Sequence, residues 1–267
     1  MRKISNLKEI QSMALLILEK LDRYCSDNQI EYYMAYGSLL GAIRHKGFIP
    51  WDDDVDLWMK RDSYDKFCKH FPEWGSSNGL YLNSIYTTKN YNRIQAKVCM
   101  CNTEITENSR CNLYKEGYAI DIFPLDGTPN NSWNRFFYLG ILQIIKNIAT
   151  LSAYKDKNNK TITLFARLFR KVKVNSVLKY YEVLARRYPC RDSNYLKVIA
   201  PGKRMGRDIL VKSNCFNESQ SIPFENVMTR VPSGFNEILQ KIYGDYMKLP
   251  PVELRKSHHN FTLYVKD

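Results

Sequence analysis

Four carboxylates fall within five positions in the stretch GSLLGAIRHKGFIPWDDDVDLWM, residues 37–59: Asp52, Asp53, Asp54 and Asp56. Carboxylates this crowded repel one another unless a cation sits among them. If 54–59 is a strand, its alternation puts Asp54 and Asp56 on one face and turns Val55 and Leu57 into a core. Two hard oxygen ligands on one edge suit Mg²⁺, with Mn²⁺ as the alternative. Upstream, a strand-like run over 30–36 ends at Gly37-Ser38, a small pair that lets a phosphate approach the backbone. A helix over 39–45 would aim its positive N-terminal end at that anion. Arg44, His45 and Lys46 form a cationic triplet suited to phosphate oxygens, and Gly47 and Pro50 bend the chain back toward the acidic run. Trp51 either packs this loop or offers a cation–π face.

A second chemical anchor is the segment over 118–125, where Asp121 stands among Ala119, Ile120, Ile122 and Phe123. A lone carboxylate in an apolar strand is costly unless it is paired, hydrogen-bonded or bound to metal, so Asp121 is either a site residue or a strand-end acceptor. Asp126, followed by Gly127, reads as a turn residue. Lys97, alternating with Gln95 and Cys99 in a strand over 94–100, projects either toward a phosphate or outward into solvent. His258 and His259 follow Arg255 and Lys256; in isolation such a pair is a surface feature or a weak metal site.

Gly37-Ser38 followed by an Asp-x-Asp strand resembles the nucleotidyltransferase superfamily signature, and LLGAIRHKGFIPWDDDVD resembles the LicD family. The resemblance continues through YAIDIFPLDGTP at 118–129 and YGDYMKLPPVELRKSHH at 243–259, and so spans most of the chain. The best-known members transfer phosphocholine from CDP-choline to bacterial surface glycans, and relatives include fukutin-related ribitol phosphate transferases. The resemblance implies an Mg²⁺-dependent phosphotransferase acting on a hydroxyl of teichoic acid, lipopolysaccharide or capsule and releasing CMP. In that reading Asp54, Asp56 and Asp121 are catalytic and hold the metal, with Asp121 also taking the acceptor's proton. Gly37, Ser38, Arg44, His45 and Lys46 bind the donor, and Lys97, His258 and His259 contact substrate. The alternatives are a CDP-ribitol or CDP-glycerol donor, or ordinary nucleotidyl transfer through attack at the α-phosphorus. The acceptor glycan is expected to be lipid-linked, which implies peripheral contact with a membrane.

Composition agrees with an anionic partner: the formal net charge is +13 over 267 residues. Nucleic acid is not expected, because no recognised stacking motif, zinc-finger spacing or basic recognition helix is present. Seven cysteines without C-x-x-C pairs fit reduced thiols, and Cys99, Cys101 and Cys111 lack a fourth zinc ligand. The N-terminus lacks a signal-peptide core and no span of about 18 apolar residues occurs, so a cytoplasmic protein, at the inner face of the membrane, is expected.

Helical spacing predicts helices over 6–26, 61–71, 133–154 and 233–243, and two more within 161–188. The segment over 133–154 reads as a buried or an interfacial helix. Strands are expected over 80–87, 94–100 and 104–106, and PGKRMGRD at 201–208 reads as a basic loop without P-loop spacing. The fold expected is α/β (α+β): a nucleotidyltransferase-like mixed sheet flanked by helices. Residues 1–130 form the catalytic core, and 131–267 a mostly helical substrate-binding portion packed on it.

Overall fold

A computed structural model describes residues 1–107, 114–152, 169, 172–199, 208–257 and 261–266. From β1 (Arg2–Ile4), the strands of the first half are β2 (Tyr33–Met34), β3 (Asp56–Lys60), β4 (Leu80–Asn83), β5 (Ala96–Met100), β6 (Thr103–Glu107) and β7 (Ala119–Gly127). The central mixed sheet runs β2-β3-β7-β5-β4, with β3 and β7 parallel and their neighbours antiparallel. Leu57, Trp58 and Met59 of β3 are all buried, the continuous apolar run expected of a strand covered on both faces.

Three helices enclose this sheet: α1 (Leu7–Asp27), α2 (Tyr36–His45) and α3 (Arg61–Ser77). Asn6 caps α1 by accepting the Lys8 N–H (2.9 Å), and Ala14, Ile17, Leu18, Leu21 and Cys25 form its buried stripe. On α3 Tyr64, Phe67, Cys68 and Phe71 are buried, at the spacing of one helix face. Tyr24 of α1 meets Phe67 and Phe71 edge-on, with ring centroids 5.8 and 5.1 Å apart.

The second half carries the helices α4 (Ser132–Ser152), α5 (Val174–Ala185) and α6 (Phe235–Tyr243). It also adds strands the sequence reading did not assign: β8 (Tyr195–Val198), β9 (Ile209–Lys212), β10 (Ser219–Phe224), β11 (Val227–Pro232) and β12 (Phe261–Val265). They are four to six residues long, too short for their periodicity to stand out from the flanking loops. β8 pairs antiparallel with the far end of β7, β10 and β11 form a hairpin, and β12 joins β1 and β6 in a separate three-stranded sheet. The first helix expected within 161–188, residues 201–207 of the basic loop, Cys111, His258 and His259 lie outside the described residues.

Three boundaries differ from expectation. β2 holds two residues; α2 starts at Tyr36, so Gly37-Ser38 lies inside its first turn; and β3 begins at Asp56. Asp126 is not a turn residue: it lies within β7, is fully buried, and anchors an ion network. Its Oδ1 accepts from Arg61 Nε (2.7 Å) and its Oδ2 lies 3.2 Å from Lys197 Nζ. Arg61 Nη1 donates to Glu182 (2.8 Å), while Lys197 and Lys146 close on Asp208 at 3.7 and 2.5 Å. Three cations thus alternate with three carboxylates in the space between α3, β7, α4, α5 and β8. A buried aspartate is tolerated in a strand when both oxygens meet cations.

Candidate active site

The acidic edge is assembled by the parallel pairing of β3 with β7, which puts Asp56 directly opposite Asp121. The Asp121 N–H donates to Val55 O (3.2 Å), extending the ladder one residue upstream, and Val55 and Leu57 are buried while Asp54 and Asp56 are not. The alternation expected from sequence therefore holds, although Asp54 precedes the strand proper. Two anchors fix the loop before it: Gln11 of α1 donates to Asp52 O (2.8 Å), and the Tyr118 hydroxyl donates to Asp53 O (2.6 Å). One carboxylate oxygen from each of Asp52, Asp53 and Asp54 lies within 4.8 Å of the others, an all-oxygen donor set of the kind hard divalent cations take. Sequence reasoning favoured Asp54 and Asp56 and left Asp52 aside; its place in the cluster comes from the turn closed by the Asp52 N–H on Ile49 O (2.9 Å).

Crowding sets the electrostatics of this edge. Burial first, then Asp54, Asp121 and Asp52, push the Asp56 carboxyl well above the usual carboxylate range. Asp121 goes the other way. Burial acts to raise it, but Lys97 and Arg93, with a hydrogen bond from Gln95, hold it below its ordinary value. Lys97 sits opposite Asp121 in the β5–β7 register, 3.0 Å from Asp121 Oδ1 and 2.9 Å from Glu116 Oε1, and Gln95 Nε2 reaches Asp121 Oδ2 at 3.1 Å. Lys97 is thus neither a surface lysine nor an extended arm; it is pinned between two carboxylates.

The turn into α2 completes the site. Tyr36 takes a left-handed backbone (φ 43°), held by edge-on packing against Trp58 and Phe123 (4.9 and 5.1 Å) and by its hydroxyl donating to Ile199 O (2.5 Å). Such a conformation costs a non-glycine residue on the order of 1–2 kcal/mol, and here it precedes Gly37 and Ser38. Their amides belong to the first turn, which has no intrahelical acceptors. Ser38 Oγ accepts the Asp56 N–H (2.9 Å) and so ties the helix start to the acidic strand. A Cβ on Gly37 would lie 2.8 Å from Asp52 Oδ2, so glycine lets a carboxylate close on this helix end.

Arg44, His45 and Lys46 sit at the other end of α2. Arg44 Nη1 donates to Tyr246 O (2.6 Å) and its Nε to His45 Nδ1 (3.4 Å); burial lowers both side chains' proton affinity, and for His45 the Arg44 charge adds to it. Lys46 is the left-handed cap (φ 57°) of α2, and its carbonyl accepts the Glu225 N–H (2.8 Å) from the turn of the β10–β11 hairpin. Glu225 Oε1 in turn accepts the Phe48 N–H (3.0 Å), clamping the loop that leads to the aspartates. Trp51 packs against the core and lies under the Arg255 guanidinium (5.9 Å).

Tyr243, at the end of α6, was not singled out from sequence. Its hydroxyl is raised by burial and then by Asp56, Asp52 and Asp54, with Arg44 opposing, while 40% of the residue remains exposed. A half-exposed aromatic therefore stands within electrostatic reach of the carboxylates and links them to Arg44. The available signal was its position as first residue of YGDYMKLPPVELRKSHH.

A strained strand-to-helix turn carrying Gly-Ser, followed by paired carboxylates on adjacent parallel strands, defines a nucleotidyltransferase-like domain. Residues 29–138 match the family model described as LicD/FKTN/FKRP, nucleotidyltransferase domain. Across 99% of this chain and 100% of its own length, the lipopolysaccharide cholinephosphotransferase LicD of Haemophilus influenzae is 32% identical. Shorter matches join uncharacterised proteins of Rickettsia typhi, 40% identical over 18% of this chain and 15% of the relative, and of Rickettsia prowazekii, 57% identical over 13% of each. The chain belongs to the LicD family, and it is by that membership a transferase.

Proposed function

We propose that this protein transfers a phosphoalcohol, phosphocholine in the first instance, from its CDP carrier to a hydroxyl of a bacterial surface glycan of the lipopolysaccharide kind, releasing CMP. The observation that carries this reading is the near full-length similarity to a lipopolysaccharide cholinephosphotransferase, joined to an acidic edge whose charge demands a cation. The acceptor oxygen forms a bond to the phosphorus bearing the alcohol, and the bond from that phosphorus to the oxygen of CMP breaks.

Asp54 and Asp56 would hold Mg²⁺, or Mn²⁺, with Asp52 beside them and Asp121, opposite Asp56 in the strand register, closing the set. The oxygens gathered from Asp52, Asp53 and Asp54, and the mutual repulsion between Asp56 and its acidic neighbours, fit such an ion. When bound, the cation neutralises charge on the transferring phosphoryl group and on the leaving CMP. The first-turn amides of Gly37 and Ser38 receive a donor phosphate at the positive end of α2. Arg44 holds the carbonyl of Tyr246, and through it positions the segment that carries Tyr243; His45 and Lys46 support the same end. Tyr243 is the first aromatic to consider for the choline ammonium, since it is half-exposed beside the carboxylates. Lys97 orients Asp121. Asp121, oriented by Lys97 and Gln95, takes the acceptor's proton. His258 and His259 stay substrate-binding candidates on the family resemblance. The reaction takes place on the cytoplasmic side, on a lipid-linked acceptor.

CMP release from CDP-choline, CDP-ribitol and CDP-glycerol, each with a delipidated glycan acceptor, tests this reading. Release from one donor, lost in Asp54→Ala and Asp56→Ala, is expected, with CDP-choline the preferred donor. A nucleotidylated acceptor without CMP would replace it with attack at the α-phosphorus.

A further inference from the structure

α4 has two apolar faces, and only one of them is used. Leu142, Ile145 and Ala149 are buried, against Tyr181 and Ala185 of α5 and against Tyr91 and Leu178. On its other side Trp133, Phe136, Phe137, Ile141 and Ile144 are 72, 68, 61, 52 and 60% exposed. Their spacing, i, i+3, i+4, i+8 and i+11, makes one continuous stripe roughly 17 Å long at 1.5 Å per residue. Aromatic and aliphatic side chains gathered this way on a monomer's surface mark something that covers them. α4 contains no Asp or Glu.

Charge identifies the cover. From Ser132 to Arg187 the chain has 12 Lys and Arg against 2 Asp and Glu, leaving 28 against 25 for all the rest. Ten of the thirteen net positive charges thus belong to this one segment. Lys146 and Arg186 are engaged in ion pairs inside the molecule. Lys173, Lys179 and Arg187 are exposed on or beside α5, whose outer face also shows Tyr180 and Val183. No helix among the described residues is long and apolar enough to cross a membrane. An aromatic and aliphatic stripe on a strongly cationic segment matches a surface that offers acyl chains beneath anionic headgroups. A second copy fits poorly, because pairing through this face would bring two segments of +10 together, and nucleic acid gains nothing from the apolar stripe.

We infer that α4 lies in the interface of an anionic lipid bilayer, with Trp133, Phe136, Phe137, Ile141 and Ile144 inserted and Lys173, Lys179 and Arg187 on the headgroups. The placement serves the site. Ala149, near the C-terminal end of α4, shares a cluster with Tyr91; the Tyr91 hydroxyl donates to Gln95 O (2.7 Å), and Gln95 holds Asp121. α4 therefore runs from the far end of β7 back toward the carboxylates and brings them close to the bilayer surface. This docking is independent of which alcohol is transferred.

Flotation of the full chain with vesicles of phosphatidylcholine alone, or mixed with phosphatidylglycerol, tests it. Binding to the mixed vesicles that weakens with salt is expected, and Phe136→Ser/Phe137→Ser/Ile141→Ser should lower the partition coefficient at least ~10-fold without changing the circular dichroism, since these side chains are more than half exposed. Trp133 emission should shift to the blue on the mixed vesicles and be quenched by lipids brominated on the acyl chain. Equal binding by wild type and triple variant, or no acyl-chain quenching, would reduce the contact to headgroup adsorption and overturn the insertion. Absence of vesicle binding, with a dimer that the triple substitution dissolves, would assign the stripe to a second copy and overturn it equally.

Discussion

β7 carries two aspartates five residues apart whose surroundings are opposites. Asp121 meets Lys97, but its neighbours across the parallel pair and along the preceding loop are Asp56, Asp54 and Asp52. Asp126 meets Arg61 and Lys197, and every carboxylate added to that network brings a cation with it. One end of the strand is left with an excess of like charge and the other is neutralised internally. Like charge gathered on one edge marks where a cation and a phosphorylated substrate belong; charge alternating with its opposite holds the fold.

Substitution at the two ends should therefore separate activity from stability. Asp54→Ala is expected to lower transfer on the order of a thousandfold while leaving the melting temperature unchanged or raised, because it relieves repulsion around Asp56. Asp126→Ala is expected to destabilise by about 3–5 kcal/mol, since Arg61 and Lys197 stay buried without their shared partner. Denaturant unfolding of both variants beside kcat/KM measures the contrast. An Asp54→Ala protein that unfolds as readily as Asp126→Ala would erase the distinction between the ends.

The pH dependence of stability should divide in the same way. Asp126 would be raised by burial alone, but Arg61 and Lys197 hold it below the usual range. Its contribution is fully present above the unfolded value of about 3.9 and is lost as pH falls through the folded value; Asp126→Asn should flatten that acid limb. Asp56 is raised in the fold, so metal-free protein should lose stability as pH climbs above about 3.9, and Mg²⁺ should restore it by mass action. Unfolding midpoints across pH in chelator, with and without added Mg²⁺, report both limbs. A metal-free protein whose stability is flat above pH 5 and indifferent to Mg²⁺ would remove Asp56 from the cation site.

The two ends also differ in how far the sequence discloses them. Asp52, Asp53, Asp54 and Asp56 are crowded in the chain, so their chemistry is legible before any fold is known. Asp126 is not. Its partner Arg61 is 65 residues away, and Arg61 reaches Glu182 across 121 more, so each residue taken alone reads as a turn or a surface charge. Arg44 shows the converse: adjacency to the motif suggested a phosphate ligand, yet its guanidinium closes on Tyr246 O, 202 residues on, because α6 packs against α2. That same packing brings Tyr243 within electrostatic reach of the aspartates, for which the sequence offered only its place in the segment over 243–259. The helices of the first half were legible because their apolar stripes are long. The strands after residue 190 were not, because each is only four to six residues and draws its stability from the partner it pairs with.

The smallest expected effect is the most discriminating about how the acidic end works. In the first turn of α2, alanine is favoured over glycine by roughly 0.5–1 kcal/mol, so Gly37→Ala should leave stability unchanged or slightly improved. Its Cβ would lie 2.8 Å from Asp52 Oδ2, the end of a side chain that can rotate, so the carboxylate gives way rather than the backbone. Asp52 would then leave the cluster it forms with Asp53 and Asp54, and the helix end would lose its open approach to a phosphate. A fall in kcat/KM of about tenfold follows, carried mostly by donor KM, with no loss in melting temperature. Combined with Asp52→Ala, Gly37→Ala should cost less than the two do separately, because both remove the same carboxylate from the same place. Full additivity would mean that the glycine serves the phosphate alone and that Asp52 acts elsewhere.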